Sequence, residues 1–228
     1  MEHTYMPNAS KNRKHIVIVG NSGFARECHI MLRQMMLADP ALDFRGFLSF
    51  EDYEADLKDL APLFLGNDDD YAFTPEEPVV IGIGDPDLRK KAHEKLMARG
   101  CSFFTLVHPT SYIDASASLG EGNIFGSRCH VTSNCAIGNA NVFNGLVHIG
   151  HDAVIGDYNF VAPNVQILGD VRMGDLNTIG ATCVLLPHCR IGCGNILAPL
   201  SAMYKGCGDF TYMSGNPAIR MGTRDPRP

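Results

Sequence analysis

The chain has 228 residues, of which 45% are hydrophobic, and a formal net charge of −6. This length leaves room for two modest domains, each with a proper core. The negative charge argues against a nucleic-acid-binding protein, because phosphate binding needs clustered Lys and Arg. No apolar run approaches the ~20 residues of a membrane span, and the polar start does not resemble a signal peptide, so we expect a cytoplasmic protein.

Residues 1–13 are polar and predict a loose tail. Strands and helices then alternate as far as residue 107, which is typical of a small, Rossmann-like parallel α/β sheet. The predicted strands cover 15–19, 44–48, 78–84 (with its turn) and 103–107. The two predicted helices begin after Ser22, expected as an N-cap, and after Asp85, where Pro86 takes the first helical position.

Two of these strands end in glycine-rich turns, residues 20–23 and 82–85, that lead into the helices. Free backbone N–H groups and the helix dipole favour an anion at such a turn. Open α/β sheets bind ligands beyond the carboxyl ends of their strands, so we expect the two turns to share one ligand. The motif is not the full GxGxxG fingerprint, and glycines needed only for tight turns are the alternative.

The second half of the chain repeats every six residues. Sixteen hydrophobic residues follow this interval without a slip: Ile113, Leu119, Phe125, Val131, Ile137, Phe143, Ile149, Ile155, Val161, Ile167, Met173, Ile179, Leu185, Ile191, Leu197 and Met203. This period fits neither a helix nor an alternating strand, but it fits a parallel β-helix, in which each unit gives one short strand and a turn. The hydrophobic residue of each unit is expected to point inward.

A longer period of eighteen residues supports the same fold. It relates five asparagines and five glycines: Asn123, Asn141, Asn159, Asn177 and Asn195, and Gly120, Gly138, Gly156, Gly174 and Gly192. Three six-residue units therefore close one triangular coil, and stacked coils lie about 4.8 Å apart. We expect the asparagines to form a hydrogen-bonded ladder along the stack.

The candidate catalytic group is His151 with its neighbour Asp152. Because Ile149 points inward, both residues are placed on the turn that follows it. An imidazole is a natural general base near neutral pH, and an adjacent carboxylate favours the imidazolium and can fix the tautomer. A solvated corner histidine paired incidentally with Asp152 is the alternative.

Several motifs occur together with the repeat: His108-Pro109 before it, His151-Asp152 with Ile155-Gly156-Asp157 within it, then Gly169-Asp170-Val171, and Gly215-Asn216-Pro217-Ala218 at its end. Over roughly residues 14–221, the chain resembles the sugar acyltransferases of the left-handed β-helix superfamily. Within that superfamily, it resembles the sialic-acid O-acetyltransferase and nucleotide-aminosugar N-acetyltransferase group of bacterial glycan synthesis. The resemblance implies a left-handed coil, which periodicity alone does not give.

The resemblance also implies a division of the chain and its partners. Residues 1–13 would be a flexible tail, 14–107 a Rossmann-like domain that binds the nucleotide sugar, 108–206 the left-handed β-helix acyltransferase domain, and 207–228 a C-terminal tail. Acetyl-CoA would be the acyl donor, with no metal. Active sites would lie between neighbouring subunits of a homotrimer.

By the same resemblance, His151 is the catalytic base, Asp152 its adjacent acid, and the Gly169 N–H the group that polarises the thioester carbonyl. The implied acetyl-CoA contacts are Gly180, Ala181, Asn216 and Pro217. The implied acceptor contacts are Gly20, Asn21, Ser22, Gly23, Gly82, Gly84, Asp85 and Asn144. A second histidine that family members often carry nine residues after the base is replaced by Phe160.

The predicted activity is acetyl transfer from acetyl-CoA to the amino group of a nucleotide-linked deoxyaminosugar. O-acetylation of a sialic acid or related sugar is the first alternative. A zinc hydratase on the same scaffold is remote: His130 and His148 are eighteen residues apart and stack, but zinc needs three protein ligands and no CxxC pair occurs. A non-catalytic binding or scaffold protein is the last alternative.

Overall fold

The computed structural model describes residues 14–51 and 56–224, which form two compact units that divide between residues 109 and 110. The predicted tail over 1–13 lies outside the described residues, as does the end of the predicted C-terminal tail, 225–228. Within the described ranges, no helix is both long enough and apolar enough to cross a membrane.

The first unit is a parallel sheet with helices. Its elements are β1 (Lys14–Val19), α1 (Gly23–Ala38), β2 (Leu42–Ser49), a 3₁₀ helix (Lys58–Leu63), β3 (Phe64–Asn67), β4 (Val79–Ile81), α2 (Pro86–Ala98) and β5 (Leu106–Val107). The four strands β1 to β4 are ordered β3-β2-β1-β4 and all pair in parallel. The predicted Rossmann-like sheet is thus confirmed. The predicted strand over 103–107 is shorter, since Phe103 makes only a single bridge, to Val79.

The order of the sheet brings β1 and β4 side by side. The chain builds outward from β1 to β3 on one side and then returns to the other side of β1 with β4. This arrangement is a topological switch point, where the loops after the two strands open a crevice at the carboxyl edge of the sheet. Both glycine-rich turns lie at this point.

The second unit is a stack of triangular coils with three walls of parallel strands. The first wall contains Tyr112–Ile113, His130–Val131, His148–Ile149, Gln166–Ile167, Val184–Leu185 and Ala202–Met203. The second wall contains Ser118–Leu119, Ala136–Ile137, Val154–Ile155, Arg172–Met173, Arg190–Ile191 and Gly206–Cys207. The third wall contains Ile124–Phe125, Val142–Phe143, Phe160–Val161, Thr178–Ile179, Ile196–Leu197 and Thr211–Ser214, and Ile219–Thr223 closes it as an antiparallel strand.

The interior of the coils is one continuous apolar column. All sixteen residues of the six-residue repeat are buried except Leu119, which is half-buried in the first coil. Each strand pairs with the residue eighteen positions away, as in Ile149 with Ile167, so the coils stack in register. The predicted β-helix is confirmed.

The predicted asparagine ladder is also present. From Asn141 onward, the side-chain nitrogen of each asparagine donates to the side-chain oxygen of the asparagine one coil earlier at 3.0–3.1 Å, and all five side chains are buried. The ladder follows the turns between the second and third walls. Glycines occupy the same turns because a Cβ there would meet the next coil: at Gly138 it would lie 2.8 Å from the carbonyl oxygen of Gly156.

Two other edges of the prism matter for the site. We call the turns between the first and second walls the base edge, which includes 150–153, 168–171 and 186–189. The turns between the third and first walls are the opposite edge, which includes 144–147, 162–165, 180–183 and 198–201.

Candidate active site

His151 and Asp152 form a hydrogen-bonded pair on the base edge. The Nδ1 atom of His151 lies 2.8 Å from Oδ2 of Asp152, and the two side chains are 67% and 52% exposed. Asp152 adopts a left-handed conformation (φ 60°), which turns the chain sharply after Ile149. An ionised carboxylate only accepts hydrogen bonds, so Nδ1 carries the proton and Nε2 keeps its lone pair. The geometry thus leaves Nε2 available as a base.

Gly169 lies beneath this imidazole, one coil further along the same edge. A Cβ at Gly169 would stand 2.6 Å from both Cε1 and Nε2 of His151. Only glycine therefore fits under the ring in this position. The next peptide is tied back to the histidine, since the N–H of Asp170 donates to the carbonyl of His151 at 2.8 Å.

The N–H of Gly169 has no hydrogen-bond acceptor among residues 14–51 and 56–224. The corresponding N–H groups on the asparagine edge are bonded, as when the N–H of Asp157 donates to Asp175 at 2.8 Å. On the base edge, the residue eighteen positions after Gly169 is Pro187, whose side chain has no hydrogen-bond acceptor. A free donor and a free imidazole nitrogen therefore meet at one place.

A charged cluster around Asp170 follows on the same edge. Its carboxylate accepts from His188 at 2.8 Å, from Arg172 at 2.9 Å and from Arg190 at 3.1 Å. The hydrogen bond from His188, followed by that from Arg190, lowers the pKa of Asp170 to about 2. The cluster links two neighbouring coils and was not anticipated from the sequence, although the eighteen-residue spacing of the two arginines indicates that they stack.

The other predicted β-helix contacts lie on the opposite edge of the prism. Asn144, Gly180 and Ala181 belong to its turns. The turn that carries Asn216 and Pro217 is attached to the C-terminal end of this edge: Gly215 donates to Oγ of Ser201 at 3.0 Å, and Ala218 to the carbonyl of Ala202 at 2.8 Å. The structure thus aligns these residues with one another, but not with His151, which is on a different edge of the same prism.

In the α/β unit, the two glycine turns touch. A Cβ at Gly20 would lie 2.5 Å from the carbonyl oxygen of Gly82, so the backbones meet at the switch point. Asn21 is buried, and its carbonyl accepts the N–H of Asp56 at 2.8 Å. Ser22 precedes α1 in an extended conformation, but its side chain makes no capping hydrogen bond, so the predicted cap is wrong in that respect.

Asp85 caps α2 as predicted. Its Oδ1 atom accepts from the N–H groups of Asp87 and Leu88 at 3.0 and 3.1 Å. Across the described parts of the chain, the N–H groups of Ser22, Gly23, Ile83 and Gly84 have no acceptor. The two turns therefore present unsatisfied donors at the same edge of the sheet, as an anion site requires.

The stacked histidines of the first wall do not form a metal site of the usual kind. The rings of His130 and His148 are 5.4 Å apart in a T-shaped contact. Burial, with a smaller contribution from His130, lowers the pKa of His148. In the described ranges, no three His, Cys, Asp or Glu side chains are grouped closely enough to hold a metal ion.

Comparison with known proteins identifies the repeat. Residues 152–187 match the family model described as bacterial transferase hexapeptide (six repeats). This segment begins immediately after His151 and includes Gly169. No curated protein sequence matches the chain.

Solved structures share the fold over nearly the whole chain. A mutant of perosamine N-acetyltransferase from Caulobacter crescentus, in complex with CoA and GDP-perosamine, is 21% identical, with a TM-score of 0.81 over 94% of this chain and 100% of that one. The acetyltransferase domain of PglB from Neisseria gonorrhoeae is 17% identical, with a TM-score of 0.81 over 92% and 100%. WeeI from Acinetobacter baumannii is 23% identical, with a TM-score of 0.74 over 91% and 100%.

These likenesses establish the fold. The chain combines an α/β unit with a left-handed β-helix, and it carries the hexapeptide repeat of bacterial transferases. The resemblance predicted from the motifs is confirmed at the level of the fold and of the hexapeptide repeat.

Proposed function

We propose that the protein transfers an acetyl group from acetyl-CoA to the amino group of a nucleotide-linked deoxyaminosugar. The observation that carries the proposal is the position of Nε2 of His151 directly over Gly169, whose N–H has no acceptor among the residues that the structure describes. One group can accept a proton, and the other can stabilise an oxyanion. Acyl transfer needs both beside the same thioester carbonyl, the base to take the proton of the attacking amine and the donor to bind the carbonyl oxygen.

The reaction follows from these two groups. The neutral amine attacks the thioester carbonyl, the C–N bond forms, and Nε2 of His151 takes the proton from nitrogen. The N–H of Gly169 binds the oxyanion, which is typically worth ~3 kcal/mol of barrier. When the C–S bond breaks, the imidazolium returns the proton to the CoA sulfur. Asp152 stabilises the imidazolium through its hydrogen bond to Nδ1.

The acceptor is assigned to the α/β unit. Four N–H groups of the two turns, those of Ser22, Gly23, Ile83 and Gly84, have no acceptor in the described part of the chain and are available to an anion. The diphosphate of a nucleotide sugar supplies one. The Caulobacter enzyme with the same fold is named for perosamine and is bound to GDP-perosamine. This likeness favours an amino sugar over the hydroxyl of a sialic acid as the acceptor.

We also propose that each active site is shared by two subunits of a homotrimer. His151 is 67% exposed in the single chain, and Ala181 and Asn216 follow a different edge of the prism. One chain alone cannot enclose a donor between these edges. The base edge of one subunit facing the opposite edge of its neighbour would do so, and an exposed base would then become enclosed.

The activity is tested with acetyl-CoA, a thiol reagent and a panel of GDP-, UDP- and dTDP-linked 4-amino sugars. We expect thiol release with at least one amino sugar and none with the analogue in which a hydroxyl replaces the amine. Release with sialic acid but with no amino sugar would favour O-acetylation. Absence of CoA binding in a thermal-shift titration would favour a non-catalytic protein.

The shared site is tested by mixing two inactive variants, His151→Ala and Ala181→Trp. Each chain keeps one intact edge, so random trimers regain about a quarter of the sites if the two edges come from different subunits. If both edges came from the same chain, the mixture would stay inactive. Reassociation is checked by size-exclusion chromatography of differently tagged chains.

A further inference from the structure

Arg89 is a fully buried arginine in the first turn of α2, and it lies directly behind the second glycine turn. Its exposed fraction is 0%, and Nη1 donates to the carbonyl oxygens of Ile83 at 2.9 Å and Gly84 at 2.7 Å. Burial lowers its pKa to about 9, so the guanidinium stays charged at neutral pH. We propose that Arg89 is a positioning residue of the acceptor site, which orients the turn so that its N–H groups bind the acceptor's diphosphate. This inference rests on the proposed function.

The geometry of the peptide bond makes this role specific. In a trans peptide the C=O and the N–H point in opposite directions. The carbonyl of Ile83 shares its peptide with the N–H of Gly84, and the carbonyl of Gly84 shares its peptide with the N–H of Asp85. Because both carbonyls face Arg89, both N–H groups point away from it. Successive N–H groups on one side of a turn form a concave anion site.

The first glycine turn adds donors to the same place. Gly20 meets the backbone of Gly82, and the N–H groups of Ser22 and Gly23 have no acceptor within the described part of the chain. A diphosphate has two phosphoryl groups, each with oxygens that accept hydrogen bonds from backbone N–H groups. Two adjacent turns with unsatisfied donors suit such a ligand better than they suit a single carboxylate.

Charge favours the same ligand. A neutral donor could satisfy the two carbonyls with a much smaller desolvation cost than a buried guanidinium. The guanidinium instead places a positive charge behind the N–H groups, with the carboxylates of Asp85 and, more weakly, Asp87 as its neighbouring negative charges. The carboxylate of Asp85 is engaged by the N–H groups of Asp87 and Leu88 at the start of α2.

The test measures the affinity of full-length protein for GDP, UDP, dTDP and inorganic pyrophosphate by calorimetry, in Arg89→Met, Arg89→Lys and a control. The control is Lys91→Met, which removes one charge from an exposed position on the same helix. We expect Arg89→Met to weaken nucleoside diphosphate binding by at least about tenfold, as the loss of a charge-assisted interaction implies. Arg89→Lys should fall between, because an ammonium keeps the charge but not the planar guanidinium geometry that places Nη1 within reach of both carbonyls. Lys91→Met should match wild type.

Two readouts separate positioning from simple stability. The affinity for acetyl-CoA, which the β-helix unit binds in the proposed function, should be unchanged in every variant. The KM for the acceptor should rise in Arg89→Met while the KM for acetyl-CoA stays constant. Equal losses of both affinities would mean a general folding defect and would overturn the positioning role.

A measurement on the unaltered protein covers the case in which Arg89→Met does not fold. In [¹⁵N]glycine-labelled protein, the Gly84 amide signal should shift on saturation with the nucleoside diphosphate, whereas that of Gly66, on β3 at the far side of the sheet, should not. A Gly84 signal that stays in place at saturation, or unchanged affinity in both Arg89 variants, would overturn the role of Arg89 alone. Failure of the wild-type protein to bind any nucleoside diphosphate would overturn the proposed acceptor site itself.

Discussion

The two units of this chain fix their candidate sites by different physical means. In the β-helix, residues eighteen positions apart stack on each other, as His151 and Gly169 do. The wall or edge on which a residue lies therefore follows from its position in the repeat. In the α/β unit, the groups proposed to face a ligand are backbone N–H groups, and the carbonyls of the second turn are held by a buried side chain, Arg89. Side-chain sites on a regular scaffold can therefore be located from sequence, whereas backbone sites depend on contacts that only the structure shows.

Removal of the base should have the largest effect. We expect His151→Ala to lower kcat by roughly 10²–10⁴-fold, the usual contribution of a general base, with little change in thermal stability because the side chain is exposed. The measurement is the steady-state rate with the preferred amino sugar.

His188→Ala is the matched control for that substitution. His188 is also paired with an aspartate on the base edge, Asp170, and its side chain is 75% exposed. It should keep nearly full activity. If kcat fell equally in the two variants, activity would depend on the histidine–aspartate pairs of the base edge in general and not on a base at residue 151.

A methyl group beneath the imidazole should have the next largest effect. In Gly169→Ala, the Cβ would collide with Cε1 and Nε2 of His151 at 2.6 Å, and the exposed ring is free to move away. We expect kcat to fall by about 10²-fold, because small displacements of a catalytic group are costly, while the melting temperature changes little.

Gly208→Ala tests whether any glycine of the β-helix would give this result, since a Cβ at Gly208 meets nothing within 4 Å. It should leave kcat unchanged. If Gly169→Ala kept the wild-type kcat, the reacting thioester would not lie next to Gly169.

A break in the asparagine ladder should affect stability instead of chemistry. The side chain of Asn177 donates to Asn159 at 3.0 Å and to the carbonyl of Gly174 at 3.1 Å, and it accepts from Asn195. Asn177→Ala leaves buried partners unsatisfied, which should lower the free energy of unfolding by about 2–3 kcal/mol. Denaturant titration measures this change, and Gln166→Ala, outward-facing on the first wall, should cost much less.

The smallest effect is expected at Asp170. Its pKa is depressed from 3.8 to about 2 in the folded chain, so the charged carboxylate stabilises the fold above pH 4, and this contribution is lost as the pH falls from about 4 to 2. Asp170→Asn should therefore be slightly less stable than wild type at pH 6, and the difference should shrink as the pH approaches 2. High salt should also reduce it, because the cluster is solvent-exposed. A difference that grows on acidification would contradict this sign.

Much of the β-helix could be predicted from sequence because its repeat is so regular. The uninterrupted six-residue period predicted sixteen inward residues, of which fifteen are buried in the core. The eighteen-residue spacing predicted the asparagine ladder. Leu119, in the first coil, is the exception and is only half-buried. The resemblance implied a role for Gly169, but the direct overlap of the His151 ring with this glycine depends on the rotamer and was not predicted.

Less of the acceptor site could be predicted. The glycine turns were visible, but their contact at Gly20 and Gly82 follows from the pairing of β1 with β4, which has no local signal. The burial of Arg89 did have a local signal in the sequence. Arg89 lies three residues before Ala92 and seven before Leu96, which places it on the apolar face of α2. An arginine on such a face indicates a buried role, but not which carbonyls it will bond.

Stacking of like coils has a further consequence for motion. Each coil is held only by the coil above and the coil below, so opening should begin at the two ends of the stack and progress inward. His151 lies on the third of the stacked coils and Gly169 on the fourth, each with neighbours on both sides. Amide exchange near them should be among the slowest in the β-helix, so the two groups of the candidate active site are carried by its most stable coils.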